Sequence, residues 1–149
     1  MIAVLQRVSN ARVVVDSTTS GEINQGLLIF LGVCQGDTEE HGEFLTRKIS
    51  NFRIFNDDAG KMNLSIKDVK GASLVVSQFT LCADWKKGRR PSFVRAAPPS
   101  LGKDLYERFV QQLADQGVLV QSGVFGAMME VNLTNDGPVT FVLDSNDRN

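Results

Sequence analysis

A buried apolar run in this sequence becomes polar without an intervening turn residue. Residues 74–76 are Leu-Val-Val, and Ser77, Gln78 and Thr80 follow before any glycine or proline. The β-branched run predicts a buried strand, and a buried polar group without a partner costs about 1–3 kcal/mol. Two interpretations remain open. The strand leaves the core at a sheet edge, or its end lines a cleft and offers polar groups and free backbone N–H donors to a ligand.

A second candidate feature is a proline that directly follows a turn signal. Residues 135–137 are Asn-Asp-Gly, which is sufficient for a tight turn, and Pro138 removes a donor where the next strand would begin pairing. The alternating runs on either side predict a hairpin. Two interpretations are open for Gly137-Pro138. It is a rigid turn or the start of an edge strand, or it is a rigid backbone corner that presents carbonyl groups outward.

The histidine and cysteine content excludes several kinds of catalyst. His41 is the only histidine and lies in an acidic helix start, so we expect it at the surface and exclude sites that need several imidazoles from one chain. Cys34 and Cys82 are too few and too far apart for a disulfide framework or a zinc knuckle, and each is predicted to be a small buried hydrophobe. A thiol enzyme using Cys82 would lack a base. No metal or cofactor is expected.

A basic run follows the polar strand end. Its cations are Lys86, Lys87, Arg89 and Arg90. The formal net charge of −1 gives no global signature of nucleic-acid binding, so the run is either a solvated loop or a local phosphate-binding surface. Its place in a long connection with several prolines favours a functional loop.

Hydrophobic periodicity places these features on an α+β scaffold. A chain of 149 residues, 42% hydrophobic, fits one domain, and no run approaches the roughly 18 apolar residues of a membrane span. The first residues alternate like a strand and lack the pattern of a signal peptide, so we expect a cytoplasmic protein. Because the strands do not alternate regularly with helices, the pattern predicts a curved, barrel-like mixed β-sheet with two main helices.

The predicted elements are two helices and a set of mostly short strands. Asp37 is the predicted N-cap of the first helix and Ser100 that of the second, which ends at Gly117. The strands are predicted within residues 1–9, 11–16, 26–33, 52–55, 74–82, 129–133 and 139–143, with another beginning at 119, and the first helix is predicted over about 38–51.

Three stretches together resemble the signature motifs of the D-aminoacyl-tRNA deacylases. They are residues 77–81 (Ser-Gln-Phe-Thr-Leu), 87–93 (Lys-Gly-Arg-Arg-Pro-Ser-Phe) and 135–140 (Asn-Asp-Gly-Pro-Val-Thr). The likeness extends in order over essentially the whole chain, including residues 1–8, 61–65 and 125–127. The resemblance implies a single deacylase domain over residues 1–149, with the barrel-like fold of that family, that acts as a homodimer.

The sequence departs from the family pattern at three positions. Cys82 stands where many members carry an aromatic residue, Trp85 where the residue is often polar, and Met128 where an acidic residue is common. None of the three lies within the core of the signature motifs.

The resemblance also implies an activity. Members hydrolyse the ester that joins a D-amino acid, or glycine, to the terminal adenosine of tRNA, and the ribose 2′-hydroxyl assists. By this likeness the backbone N–H groups of Phe79 and Thr80 stabilise the oxyanion, and Ser77 and Gln78 line the pocket. The basic run would contact the acceptor end of aminoacyl-tRNA.

The resemblance assigns the chiral filter to Gly137 and Pro138. Joined by a cis peptide bond, they would enter the pocket of the partner subunit and exclude L side chains. Three alternatives remain open. Thr80 would need an adjacent base to act as a covalent nucleophile, an animal-type relative would carry a trans bond here, and a non-catalytic RNA-binding module would use the basic run alone.

Overall fold

The computed structural model describes residues 1–148, which form eight strands, two α-helices and two short 3-10 helices. No helix in this part of the chain has the length and apolarity to cross a membrane. The elements in chain order are β1 (Ile2–Val15), β2 (Thr18–Ile23), β3 (Gly26–Gly32), α1 (Glu39–Asn51), β4 (Phe55–Asn56), β5 (Met62–Leu64), β6 (Ala72–Ser77), a 3-10 helix (Phe79–Cys82), α2 (Pro99–Asp115), β7 (Leu119–Ser122), β8 (Glu130–Asp144) and a second 3-10 helix (Ser145–Asp147).

Strand β1 is paired along both of its edges. On one edge its first half pairs antiparallel with β3 and its second half with β2, and β8 runs antiparallel along the other edge. Strands β3, β6 and β7 are successive parallel neighbours. Strand β2 closes over β7, where a Cβ on Gly21 would lie 2.7 Å from the Ser122 carbonyl oxygen. The sheet is therefore nearly closed, which confirms the predicted α+β fold with a barrel-like mixed sheet and two helices.

The core has two parts, on opposite faces of the central strands. Leu27, Ile29 and Leu31 of β3 pack in the larger cluster, which includes residues of α1 and α2. Leu28 points to the other face and packs with Leu74 of β6 in a cluster enclosed by the curved sheet. Strand β3 is thus buried on both faces, as its unbroken apolar run predicts.

Two strand predictions were wrong for one reason. Ile2–Val15 forms a single long strand, and the predicted hairpin at Gly137-Pro138 lies within the continuous strand β8. Both strands are irregular at the same place, because the register between β1 and β8 shifts on either side of Val8. The local turn signals are accommodated as bulges. The turn that follows β1 uses Asp16 and Ser17, both with positive φ, and the polar residues after it form β2.

The predicted helix caps also need correction. Thr38, not Asp37, is the N-cap of α1, and the Thr38 N–H donates to Nδ1 of the half-buried His41 at 3.0 Å. Asp37 is buried and cannot cap the helix, since its carboxylate accepts from the Met1 ammonium group at 2.6 Å and from the Cys34 N–H at 2.7 Å. Helix α2 begins at Pro99, one residue before the predicted cap.

The two cysteines form a disulfide, contrary to the prediction that each is an isolated hydrophobe. Cys34 lies just beyond β3, and Cys82 ends the 3-10 helix that follows β6. Because Leu31 of β3 pairs in parallel with Ser77 of β6, the segments beyond both strand ends emerge side by side. This proximity depends on the strand pairing, which a separation of 48 residues in sequence does not reveal.

We predict that Cys34→Ser lowers the free energy of unfolding by about 2–4 kcal/mol, because the disulfide restricts the unfolded chain. Urea unfolding measures the loss with and without dithiothreitol. The control is the double variant Cys34→Ser/Cys82→Ser. The missing cross-link should lower its free energy of unfolding no further than in Cys34→Ser. A wild-type stability that does not respond to the reductant would contradict the bond.

Candidate active site

The polar end of β6 turns into a short helix at the edge of a cavity. The Gln78 N–H donates to the Leu31 carbonyl oxygen at 2.8 Å, and the chain then forms the 3-10 helix Phe79–Cys82. Ser77 and Gln78 are half-buried, whereas Phe79 and Thr80 are exposed. Of the two sequence interpretations, the structure has the one in which the strand end lines a cleft.

The cleft is a cavity of about 810 Å³ with a largely apolar lining, as is usual for small-molecule sites. Ser77, Gln78 and Phe79 line it, and Thr80 lies just outside the lining. The other walls come from β3 and the segment after it, from the loop before α2, from α2 itself, and from the segment between β7 and β8 with the start of β8. They include Phe93, Val94, Ala96, Pro98, Tyr106, Phe125, Met128, Met129 and Val131.

The N–H groups of Phe79 and Thr80 are unused donors. The first residues of a helix have no acceptor within that helix, and the Gln78 side chain does not cap it. Among the hydrogen bonds of residues 1–148, neither N–H has an acceptor outside the helix. Two neighbouring donors are thus free at the edge of the cavity.

Among residues 1–148, no general base makes a hydrogen bond with the Thr80 hydroxyl. Its side-chain partner in the structure is the Gln78 amide, which donates to it. His41 lines a separate cleft together with Asp37, Asp144 and other residues. Across residues 1–148 no group of three or more histidine, cysteine, aspartate or glutamate side chains is arranged to hold a metal ion. The polar groups available to chemistry in the cavity are therefore mainly backbone groups, amides and hydroxyls.

Tyr106 is a cavity residue that the sequence reasoning missed. Its hydroxyl donates to the Val75 carbonyl oxygen at 2.8 Å, which ties α2 to the end of β6. Burial raises the pKa of the Tyr106 hydroxyl to about 12. This hydroxyl therefore stays protonated at neutral pH and acts as a hydrogen-bond donor and not as a base. The available signal was its position beside Leu105 on the apolar stripe of the predicted helix.

The mouth of the cavity is apolar and exposed. The rings of Phe79 and Phe93 meet edge to face, with centroids 5.0 Å apart. Phe79 remains 55% exposed, and Met128 on the same rim is 91% exposed. Contiguous exposed apolar groups at a concave site mark a surface that binds a partner or a ligand.

Gly137 and Pro138 form an exposed corner outside this cavity. Their peptide bond is cis, and Gly137 has a φ of +142°, in a region that essentially only glycine enters. Neither residue is among those that line the cavity. The structure therefore does not bring the corner and the polar end of β6 into one cavity of a single chain.

The corner is anchored to β1 from two directions. The buried Arg7 donates from Nε to the Asp136 carbonyl oxygen at 3.1 Å and from another guanidinium nitrogen to the Ile54 carbonyl oxygen at 2.8 Å. The Asn135 amide donates to the carbonyl oxygens of Arg7 at 2.9 Å and Val139 at 3.0 Å. The backbone on both sides of Gly137-Pro138 is thus fixed to the sheet.

The basic run forms a loop whose two ends are held together by backbone hydrogen bonds. Asp84 and Ser92 exchange two backbone hydrogen bonds of 2.8 Å each, which close the segment between them. The run's four cations, Lys86, Lys87, Arg89 and Arg90, are all exposed, and none of them takes part in an ion pair within residues 1–148. None of them lines the cavity.

Comparison with known proteins decides the family. The model of the D-Tyr-tRNA(Tyr) deacylase family matches residues 4–144. The chain belongs to this family. Two relatives, both named D-aminoacyl-tRNA deacylase, agree with the assignment. The protein from Thermotoga petrophila is 58% identical over 97% of both chains, and that from Geobacter sulfurreducens is 55% identical over 99% of this chain and 97% of its own.

Solved structures agree with the fold of this deacylase family member. A structure titled c-Myc DNA Unwinding Element Binding Protein matches with a TM-score of 0.90 and 39% identity, over 97% of this chain and 98% of its own. A probable eukaryotic D-amino acid tRNA deacylase matches with a TM-score of 0.82 over 95% of this chain and 97% of its own. At 17% identity, the second match supports the fold alone.

We predict that Arg7→Met lowers the free energy of unfolding by about 1–3 kcal/mol, because it leaves the Ile54 and Asp136 carbonyl groups without their donor. Arg12, exposed on the same strand, provides the matched control, and Arg12→Met should change stability by no more than about 0.5 kcal/mol. Equal losses in the two variants, measured by urea unfolding, would refute the anchoring role of Arg7.

Proposed function

We propose that this chain hydrolyses the ester bond of D-aminoacyl-tRNA and releases the free D-amino acid and tRNA. The observation that carries the proposal is the pair of unused N–H donors of Phe79 and Thr80 at the edge of the cavity, in a chain of this family. A carboxylic ester hydrolase that lacks a nucleophile–base pair needs donors positioned where negative charge develops.

In the proposed reaction, a water oxygen attacks the ester carbonyl carbon. The carbonyl oxygen gains negative charge, and the Phe79 and Thr80 N–H groups stabilise it. The intermediate then collapses and the ester C–O bond breaks. The water oxygen stays in the new carboxylate, one of its protons passes to the departing ribose oxygen, and the other passes to solvent. The neighbouring 2′-hydroxyl of the substrate assists the proton transfer. Ser77 and Gln78 line the pocket and orient the substrate.

We assign the rejection of L-amino acids to Gly137 and Pro138 of a second subunit. Their carbonyl groups would accept from the substrate ammonium group and crowd the side of Cα from which an L side chain projects. Three observations support this: the corner is exposed, it is anchored by Arg7 and Asn135, and it lies outside the cavity of its own chain. A filter that tests configuration alone also admits glycine, so glycyl-tRNA mischarged on tRNA(Ala) is a second proposed substrate.

The proposed assembly is a homodimer in the cytoplasm, where aminoacyl-tRNA is made and used. The exposed apolar rim formed by Phe79, Phe93, Val94 and Met128 supports a partner that covers the mouth of the cavity. The basic loop would remain outside this contact, and Lys86, Lys87, Arg89 and Arg90 would bind phosphates of the acceptor end without regard to sequence.

A non-catalytic nucleic-acid-binding module is the second candidate. The exposed basic loop favours it, and one similar solved structure is named as a DNA-unwinding-element-binding protein. Such a module would bind tRNA but would leave aminoacyl esters at their uncatalysed rate of hydrolysis. Deacylation of matched D- and L-tyrosyl-tRNA by the purified protein separates the two candidates.

We predict that Thr80→Ala keeps most of the deacylation rate, whereas Thr80→Pro lowers kcat by about 10²–10³-fold. Alanine removes only the hydroxyl, whereas proline removes the N–H; because Thr80 lies in the first turn of its helix, no intrahelical hydrogen bond is lost with that N–H. Single-turnover hydrolysis of D-tyrosyl-tRNA measures both rates. A Thr80→Ala variant at the uncatalysed rate would instead identify Thr80 as the nucleophile.

We predict that Pro138→Ala lowers the ratio of the D-tyrosyl-tRNA to L-tyrosyl-tRNA hydrolysis rates by at least about tenfold, because the corner loses the ring that restricts its backbone. The ratio is measured with both substrates at equal concentration. A variant that remains as selective as the wild type would contradict the filter role of Pro138.

A further inference from the structure

Trp85 is a large apolar side chain that stays mostly exposed in the described part of the chain. It is the only tryptophan in the sequence and is 77% exposed, although tryptophan is highly buried on average. The aromatic and cation–π contacts found within residues 1–148 do not include it. Packing of the monomer therefore does not explain its presence.

The loop geometry limits how far Trp85 lies from the cavity. Trp85 directly follows Asp84, which pairs with Ser92, and the Asp84 carboxylate also accepts from the Lys86 N–H at 3.0 Å. Phe93, the residue after Ser92, lines the cavity. Two peptide steps of about 3.8 Å and one bridge of about 5.5 Å connect the Cα atoms of Trp85 and Phe93, so these lie within about 13 Å of each other. A few nucleotides of single-stranded nucleic acid are long enough to reach from Trp85 to Phe93.

The charges beside Trp85 select one kind of partner. The four exposed cations at positions 86, 87, 89 and 90 follow the indole directly. An aromatic platform next to a positively charged surface is the arrangement by which proteins hold single-stranded nucleic acid, with bases stacked on the ring and phosphates on the cations. An apolar protein partner would not match four unpaired cations.

We infer that Trp85 stacks on the unpaired nucleotides that precede the aminoacylated one. The enzyme then binds the single-stranded CCA end of tRNA as well as the ester. This inference rests on the proposed function. Because every base offers a π-face, the contact is insensitive to tRNA identity. The cavity holds the terminal adenosine and its amino acid, and the loop holds the nucleotides before it.

The single tryptophan makes the binding measurement specific. Excitation at 295 nm reports on Trp85 alone, and the probes are a CCA trinucleotide and an adenosine, each carrying a D-alanyl group through a 3′-amide that cannot be hydrolysed. The trinucleotide should quench the fluorescence saturably and the adenosine should not. Equal quenching by both probes, or by neither, would overturn the inference. An emission maximum typical of a buried indole in the dimer without RNA would also overturn it, since the second copy would then cover Trp85.

Kinetics supply an independent readout. In Trp85→Ala, the ratio of kcat/KM for D-alanyl-CCA to that for D-alanyl-adenosine should fall by about 5- to 150-fold, mainly through KM, and Trp85→Phe should restore part of it. Leu119→Ala, at a position 72% exposed on β7 and outside the cavity lining, should leave the ratio within about twofold of wild type.

An unchanged ratio in Trp85→Ala would contradict stacking. Absence of hydrolysis with both esters would refute the proposed function instead, and the fluorescence titration would still decide the stacking.

Discussion

The pairing of β1 along both of its edges is the constraint on which the rest of the structure depends. One edge carries β3, whose register with β6 brings the polar end of β6 to the cavity. The other edge carries β8, which presents Gly137 and Pro138. The buried Arg7, on β1 itself, donates to the backbone beside that corner. A single strand therefore fixes both halves of the proposed site, although the two halves do not meet within one chain.

The proposed chemistry follows from the groups that the fold leaves unused. Strand pairing ends at Ser77, and the short helix beyond it leaves the N–H groups of Phe79 and Thr80 free. The hydrogen bond from the Gln78 N–H to the Leu31 carbonyl oxygen ties the start of that helix to the end of β3. Because preorganised donors act without moving during the reaction, this rigidity suits a site that has no histidine or carboxylate beside the Thr80 hydroxyl. The proposed backbone filter would also ignore side-chain identity, which suits the proposed editing of more than one amino acid.

The sequence predicted the features that local pattern determines. The unbroken apolar run of β3 and the helical spacing of α1 gave the correct elements, and the absence of regular strand–helix alternation gave the fold class. The errors arose where the structure depends on contacts between residues that are far apart in the sequence. Asp37 is used by the Met1 ammonium group instead of the helix, the cysteines meet only because β3 and β6 are parallel neighbours, and the turn signals near residues 10 and 137 lie in the bulged ladder between β1 and β8. Tyr106 was missed because its role depends on contact with Val75.

The central claim is that each site takes its oxyanion donors from one subunit and its chiral filter from the other. The most direct test is a mixed dimer of a Thr80→Pro subunit and a Pro138→Ala subunit, purified through two different tags and assayed with D- and L-tyrosyl-tRNA. Sharing between subunits predicts that one site is fully intact and the other carries both defects, so the mixed dimer hydrolyses only the D-substrate. If each chain instead formed its own site, the Pro138→Ala subunit would keep its donors beside a defective filter. Continued hydrolysis of L-tyrosyl-tRNA by the mixed dimer would therefore contradict the account.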